Sequence, residues 1–196
     1  MMIYTKNYSA PPVNVKEVLR YAGGGDEKLI AECINEAENA FLYKVCYAVT
    51  DVCVNGGIVD LGFAKACSKD LSKNLSGCNR AIVFAATAGV GIDRLIGKYN
   101  RISAAKAVCL QALGSERVES LCDAFEKDIQ NEMTEGEELL FKPRFSPGYG
   151  DLSLEFQKEI FRLLDCPKRI GVSLGESLLM SPSKSVTAII GFGEKQ

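Results

Sequence analysis

The chain has no histidine and no tryptophan among its 196 residues. Without an imidazole there is no Ser-His-Asp or Cys-His catalytic unit, and no imidazole ligand for zinc or cobalt. Any chemistry must rest on carboxylates, Arg, Lys, Tyr, Cys or the backbone. An excess of one charge is also missing, since 23 Lys and Arg stand against 25 Asp and Glu for a formal charge of -2. That argues against a broadly basic nucleic-acid-binding surface. No apolar run reaches membrane-spanning length and no basic-then-apolar signal leads the chain, so no membrane partner is expected and the cytoplasm is the expected location. None of the eight cysteines forms a C-x-x-C pair. Cys33 stands beside Ile30 and Ile34, and Cys122 beside Leu121 and Phe125, which places both on apolar stripes. They are expected to be buried thiols rather than disulfide partners or metal ligands.

What is present is a composition of globular type, 47% hydrophobic and 24% charged. It fits a single domain over residues 1–196, large enough to hold a core without staples. The opening stretch to Pro11-Pro12 suggests at most an edge strand. A short helix is expected over 15–21, stopped by Gly23-Gly24-Gly25. Asp26 then caps a second helix, with Leu29, Ile30, Cys33, Ile34, Ala37 and Phe41 at helical spacing. Residues 45–54 and 58–61 read as strands, and Asn55-Gly56-Gly57 between them as a hairpin turn.

A short helix over 69–75, a strand over 81–86 and a helix over 92–99 follow. Residues 103–133 read as helical with a pause at Gly114-Ser115; the second half carries Val118, Leu121, Cys122, Phe125 and Ile129 as an apolar stripe. Beyond it come an extended stretch at 138–143, a loop at 144–151 and a helix over 152–164. That helix has Asp151 or Ser153 as its cap and Leu152, Phe156, Ile160, Phe161 and Leu164 on one face. Two strands are expected over 169–180 and 184–192, joined at Pro182, with Lys184 an exposed turn lysine. Hairpins outnumber strand-helix-strand units, so the fold class is α+β, a mainly antiparallel twisted sheet with several packed helices.

The loop Arg144-Phe145-Ser146-Pro147-Gly148-Tyr149-Gly150-Asp151 is the segment best suited to binding. Pro147-Gly148 suits a type II turn, where glycine takes the position of positive φ. Such a turn exposes backbone N–H groups, and a helix N-terminus beyond it favours anions. Arg144 adds a planar donor fork matched to a carboxylate or phosphate, and Tyr149 an aromatic face for a cation or a flat ring. The plain alternative is a strand-to-helix turn with a surface arginine. Gly89-x-Gly91 lacks both a P-loop lysine and the third glycine of a dinucleotide fingerprint, so an ordinary turn is expected there. Glu119 lies about 100° from the apolar stripe of its helix, one residue step, at a core edge; Glu116 points away.

Arg144-x-x-Pro147-Gly148-Tyr149 ahead of a helix resembles the binding-loop motif of the activation domain of cobalamin (vitamin B12)-dependent methionine synthase. Other segments resemble that family in the same order: Ala85-Ala86-Thr87-Ala88-Gly89 with Asp93 after it, the helix through 107–123, and Met180 to Val186. The match covers residues 80–193 best and 1–79 more weakly. The family implies a module that binds S-adenosylmethionine and supports the reductive remethylation of cob(II)alamin. Arg144 would then hold the ligand carboxylate and Glu119 its ammonium group. Ser146, Pro147, Gly148 and Tyr149 would form the wall, with Tyr149 near the sulfonium or the corrin.

The homocysteine, folate and cobalamin modules of the long methionine synthases are missing here. The resemblance therefore implies action in trans on a cobalamin-dependent methionine synthase without its own activation domain, or on another corrinoid protein, with a flavodoxin-type electron donor. An N-terminal aspartate that helps hold the ligand in the family has no assigned counterpart. Two other readings stay open. One is a non-catalytic module that docks on a corrinoid protein without binding S-adenosylmethionine. The other is an independent methyltransferase acting on a small molecule, for which no glycine-rich loop after a first strand is seen.

Overall fold

The computed structural model describes residues 1–134 and 138–194. The chain opens with β1 (Ile3–Tyr8), then the short helices α1 (Val15–Ala22) and α2 (Glu27–Ala37). Next come β2 (Tyr43–Asp51), β3 (Cys53–Asn55), β4 (Ile58–Asp60), β5 (Lys65–Cys67) and α3 (Lys69–Asn74). The middle holds β6 (Arg80–Thr87), α4 (Gly91–Tyr99) and α5 (Ala104–Met133). The last third contains β7 (Leu139–Phe141), α6 (Gln157–Leu164), α7 (Cys166–Ile170), β8 (Ser173–Leu174), β9 (Met180–Ser181) and β10 (Ser185–Glu194).

Five strands form an antiparallel sheet in the order β1-β2-β6-β10-β7, so the fold is α+β as expected. The central strands are covered on both faces, which explains why 81–86 is an unbroken apolar run rather than an alternating one. On one face Cys46, Ala48, Val83, Ala85 and Ile189 pack against α6, α7 and Leu71 of α3. On the other, Val45, Tyr47, Ile82, Phe84 and Ile190 meet Leu121, Cys122, Phe125 and Ile129 of α5. A third cluster joins α1, α2 and α4 to the first half of α5 through Val18, Ile30, Cys33, Ile92, Ile96, Leu110 and Leu113. Helix α5 therefore serves two cores in sequence, and its 30 residues span about 45 Å at 1.5 Å per residue.

The local signals act largely as the sequence suggests. Asn14, Asp26, Ser68 and Ser103 cap α1, α2, α3 and α5 through their side chains, and Gly23 ends α1 in the left-handed conformation at φ 73°. Asn55, Gly56 and Gly57 close the β3–β4 hairpin. Cys33 and Cys122 are buried, and all eight thiols are free. No helix of the described residues is long and apolar enough to cross a membrane.

Several expectations need correction. The pause at Gly114-Ser115 does not exist, because α5 runs through it. Gly114 is there for close approach: a Cβ would lie 2.9 Å from Lys184 Cε and 3.2 Å from Ile92 Cγ1. Lys184 is accordingly not an exposed turn lysine; it lies along α5 and donates to Ser115 Oγ at 3.0 Å. The strand expected over 45–54 bends out of the large sheet at Val52, whose N–H bonds Asn79 O at 2.8 Å, and its end becomes β3 of a separate three-stranded sheet. The strand expected over 169–180 is replaced by the end of α7 and a two-residue hairpin, β8–β9. Pro167 sits in the first turn of α7, where its missing N–H is harmless, and Gly171 caps the helix at φ 72°. Burying Cys166, Ile170 and Val172 against the sheet decides in favour of a helix there.

Candidate functional site

The loop 144–151 leaves β7 and is fastened to the sheet at Phe145, which exchanges backbone hydrogen bonds of 2.8 and 2.9 Å with Ile189 of β10. Ser146 to Tyr149 make the expected turn, closed by Tyr149 N–H donating to Ser146 O at 3.1 Å, with Gly148 at φ 91°. That φ fits the third position of a type II turn and would strain any other residue. One expectation fails here. Gly148 N–H donates to Leu152 O at 2.9 Å and Tyr149 N–H is taken by the turn itself, so neither is offered to an anion.

At the far end of the loop, Ser153 is the cap of the two expected, and Asp151 has another role. Ser153 caps the short 3-10 turn that precedes α6, through Glu155 N–H. Asp151 reaches across the molecule instead. It accepts from the Ser68 hydroxyl and from the N–H groups of Lys69 and Asp70, the latter two at 2.8 and 3.1 Å. Asp70 returns the contact by accepting Asp151 N–H at 3.2 Å. The Ser68 hydroxyl and these N–H groups hold the Asp151 carboxyl below its usual range.

Between the loop, α5, the start of α6 and β10 lies a cleft of about 370 Å³, within the range of small-molecule sites. It is lined by Glu119, Arg144, Ser146, Pro147, Tyr149 and Gln157, among others, with Ser185 to Thr187 of β10 and Met180 completing its wall. Size alone does not single it out, because a concavity against Met2, Tyr4 and Tyr47 reaches about 480 Å³. What sets it apart is a half-buried arginine, a set of hydroxyls and a buried carboxamide in one place.

Arg144 is the electrostatic centre. One Nη donates to Glu119 Oε2 at 2.7 Å, the other to Asp123 Oδ1 at 2.8 Å and to Glu126 Oε1 at 2.5 Å. Burial alone would lower its pKa, but the carboxylates of Glu126 and Asp123 outweigh that and leave it raised, so the guanidinium is charged at any working pH. Glu119 sits half-exposed at the lip, the core-edge position its helical angle suggests. Glu116 is turned away from the cleft and buried against Arg117. Tyr149 stands at the rim, 69% exposed, and its ring is open to a partner. Gly148 shapes the turn without lining the cleft.

Five of the six residues singled out from the sequence thus meet in one cleft. Several of its other residues were missed. Glu119, Asp123 and Glu126 follow a four-then-three spacing on one face of α5, an acidic stripe that calls for a cation opposite. Gln157 precedes Ile160, Phe161 and Leu164 by three, four and seven residues, so it is the polar head of an otherwise apolar face.

The glycines of Gly89-x-Gly91 serve packing. A Cβ on Gly91 would lie 2.1 Å from Ala40 O, and Gly89 N–H donates to Thr87 Oγ1 at 3.1 Å. Asp93 is bonded to Ser183 through its N–H and hydroxyl at 2.7 and 2.6 Å, which fixes the turn entering β10.

Residues 62–196 match the sequence profile of the family described as vitamin B12 dependent methionine synthase, activation domain. Among solved structures, the chain is similar to the MetH reactivation domain bound to AdoHcy, with a TM-score of 0.72 and 13% sequence identity. That alignment covers 97% of this chain and 78% of the other. A comparison with curated protein sequences gives no significant match.

Proposed function

Because the chain belongs to the family of vitamin B12 dependent methionine synthase activation domains, we propose that it binds S-adenosylmethionine in the Arg144 cleft. There it supports reductive remethylation of a cob(II)alamin carried by a separate methionine synthase or related corrinoid protein. The observation that carries this reading is the meeting of Arg144, Glu119, Ser146, Pro147 and Tyr149 around one cleft of suitable size. Support for the ligand also comes from the solved relative of the same fold, which is bound to AdoHcy.

The charge arrangement suits an amino acid head group. A zwitterion inserted between Arg144 and Glu119 replaces one ion pair by two, carboxylate against guanidinium and ammonium against carboxylate. The remaining carboxylates of the stripe, Asp123 and Glu126, keep the arginine oriented while its fork engages the ligand. A sulfonium is favoured near this acidic wall and near the Tyr149 ring. The bound ligand supplies an electrophilic methyl group. The protein supplies position, and holding two reactants in register removes several kcal/mol of barrier without acid or base. A chain without imidazole is suited to that role. The electron comes from a flavodoxin-type donor, and the corrinoid partner approaches on the side of Tyr149. Eight free thiols fit a reducing cytoplasm.

Calorimetric titration with S-adenosylmethionine tests the reading. The parent chain binds saturably, and Arg144→Ala weakens binding tenfold or more, about 1.4 kcal/mol, within reach of one charge-assisted hydrogen bond. Absence of saturable binding by the parent removes the methyl donor from this account. A chain that still captures a corrinoid protein would then be a docking module.

A further inference from the structure

Lys184 immediately precedes β10 and lies pressed against α5, where the helix makes room for it. A Cβ on Gly114 would lie 2.9 Å from Lys184 Cε and 3.0 Å from its Cγ. Glycine inside a helix weakens it relative to alanine, so α5 is locally weakened where the lysine stem passes. The ammonium donates to Ser115 Oγ at 3.0 Å. Ser115 donates its own proton to Gln111 O, also at 3.0 Å, and so presents a lone pair to the lysine. Among the described residues Lys184 has no ion-pair partner, and the neighbouring Asp93 is committed to Ser183 N–H and Oγ.

Two other lysines are treated differently. Lys6 faces Asp128 and Glu132, and Lys106 faces Glu32 and Glu36. In both, the carboxylates outweigh burial and raise the ammonium above its ordinary value. At Lys184 burial prevails over the charge of Asp93 and pushes the ammonium down. A shielded cation without a countercharge is costly, and an anion beside it offsets that cost. Space for one is present, because Lys184 and Ser115 line a groove of about 360 Å³ that shares no residue with the Arg144 cleft. Its lining follows α5 from Ala104 to Ser115, about 16 Å at 1.5 Å per residue, which puts Lys184 at one end. Ala107, Val108 and Ala112 give the groove an apolar stretch, Tyr21 of α1 borders it, and no Asp or Glu is among its lining residues.

We propose that this groove is a second ligand site for a small organic anion, with an oxyanion head against Lys184 and an apolar body along α5. An ammonium group has three protons to donate, and Ser115 takes one, so an oxyanion completes its set. Carboxylate and phosphate heads share this chemistry. The charge pattern separates the groove from the cleft. Arg144 stands among carboxylates and suits a zwitterion, whereas Lys184 has none beside it. A ligand ammonium in the groove would be repelled, which selects simple anions over amino acids. The inference does not depend on the S-adenosylmethionine reading, since the two sites have no lining residue in common.

The test keeps the ligand body constant and varies its head. Phenylacetate, phenyl phosphate, phenylalanine and benzyl alcohol are titrated into isotope-labelled parent, Lys184→Met and Lys184→Gln, with amide shifts followed by NMR. Ligand-free thermal melts of all three proteins accompany the titrations. In the parent, one or both anions should shift the amides of Gln111, Ala112 and Ser115 saturably, and the tighter head identifies the source. Both variants should bind that anion roughly tenfold or more weakly, the loss of a charge-assisted hydrogen bond. Their melting temperatures should equal or exceed the parent's, because a shielded and uncompensated charge is gone. Loss of binding without loss of stability is what a purely structural lysine would not produce. Phenylalanine and benzyl alcohol should bind the parent far more weakly than the better anion. Absence of saturable shifts with either anion overturns the inference. Parent-like affinity in either variant, or equal affinity for benzyl alcohol, overturns it as well.

Discussion

Helix α5 supplies the carboxylates of two acid–arginine clusters within one turn of each other, and they differ in what surrounds them. Glu116 and Arg117 are each 2% exposed. Arg117 donates twice to Glu116, at 2.6 and 2.7 Å, and once each to the carbonyls of Pro11 and Pro12, at 2.5 and 2.8 Å. Glu116 also accepts from Ser120 Oγ at 2.7 Å and Asn14 N–H at 3.0 Å. Every partner is part of the fold, and the pair ties the segment between β1 and α1 onto α5. Arg144, by contrast, is 26% exposed and meets only side-chain carboxylates, one of them 69% exposed. Its partners can be exchanged for a ligand's without stranding backbone. The same two residue types thus make a rivet in one place and, in the proposed reading, a binding surface in the other. Burial and the number of backbone partners decide which.

The sharpest way to break this comparison is to remove each arginine. Arg117→Ala leaves Glu116 buried with its charge uncompensated, which costs about 3–5 kcal/mol. At two to four degrees per kcal/mol for a chain of this size, the melting temperature drops by on the order of ten degrees. Arg144→Ala should change stability by about 1 kcal/mol or less, since its ion pairs are partly solvated. Urea unfolding of both variants measures the two costs together. Equal costs would mean that the cleft pair is as structural as the buried one.

The contrast between the two clusters also marks how far the sequence could be read. The caps at Asn14, Asp26 and Ser103, the hairpin at Gly56-Gly57 and the turn at Pro147-Gly148 are local devices, and each acts within a few residues of where it is written. The antiparallel class follows from them. Glu116 reads locally as turned away from the apolar stripe; what buries it with Arg117 is the Pro11-Pro12 segment, more than 100 residues away. Gly114 looks like a helix stop and is a contact point for Lys184, again a long-range neighbour. In the cleft, the motif around Arg144 was legible, whereas Gln157 was hidden among the apolar residues of its own helix. Its one signal was a polar side chain at the head of a buried face.

A smaller effect is expected where the cleft loop is moored. Gly150 has φ 51°, and a Cβ there would lie 2.3 Å from Asp70 Oδ2. The left-handed backbone alone costs an alanine about 1–2 kcal/mol. The added methyl also pushes Asp70 away from Asp151 N–H, loosening the link between the loop and α3. Gly150→Ala should lower stability modestly and weaken S-adenosylmethionine binding severalfold, read by melting and by titration. Stability loss without any change in binding would place the mooring outside the site and confine the binding surface to the Arg144 cluster.

The smallest effect separates the two clusters by pH. Burial alone would raise the Glu116 carboxyl, but hydrogen bonds from Arg117, Ser120 and Asn14 N–H prevail and hold it below its usual 4.5. A carboxyl depressed in the folded state contributes stability that is fully present above the unfolded value. That contribution is lost as pH falls through the folded one. The parent should therefore lose stability on acidification below about 4.5, the ordinary value. Glu116→Gln, less stable near neutrality, should show a flatter acid limb because that titration is gone. Urea midpoints collected from pH 7 down to 3 compare the two slopes, and parallel acid limbs would mean that Glu116 is not a source of the acid sensitivity. Arg144 offers the control. Its guanidinium is held charged throughout this range, so Arg144→Ala should keep the Glu116 contribution to the parent's acid slope even as it loses the ligand.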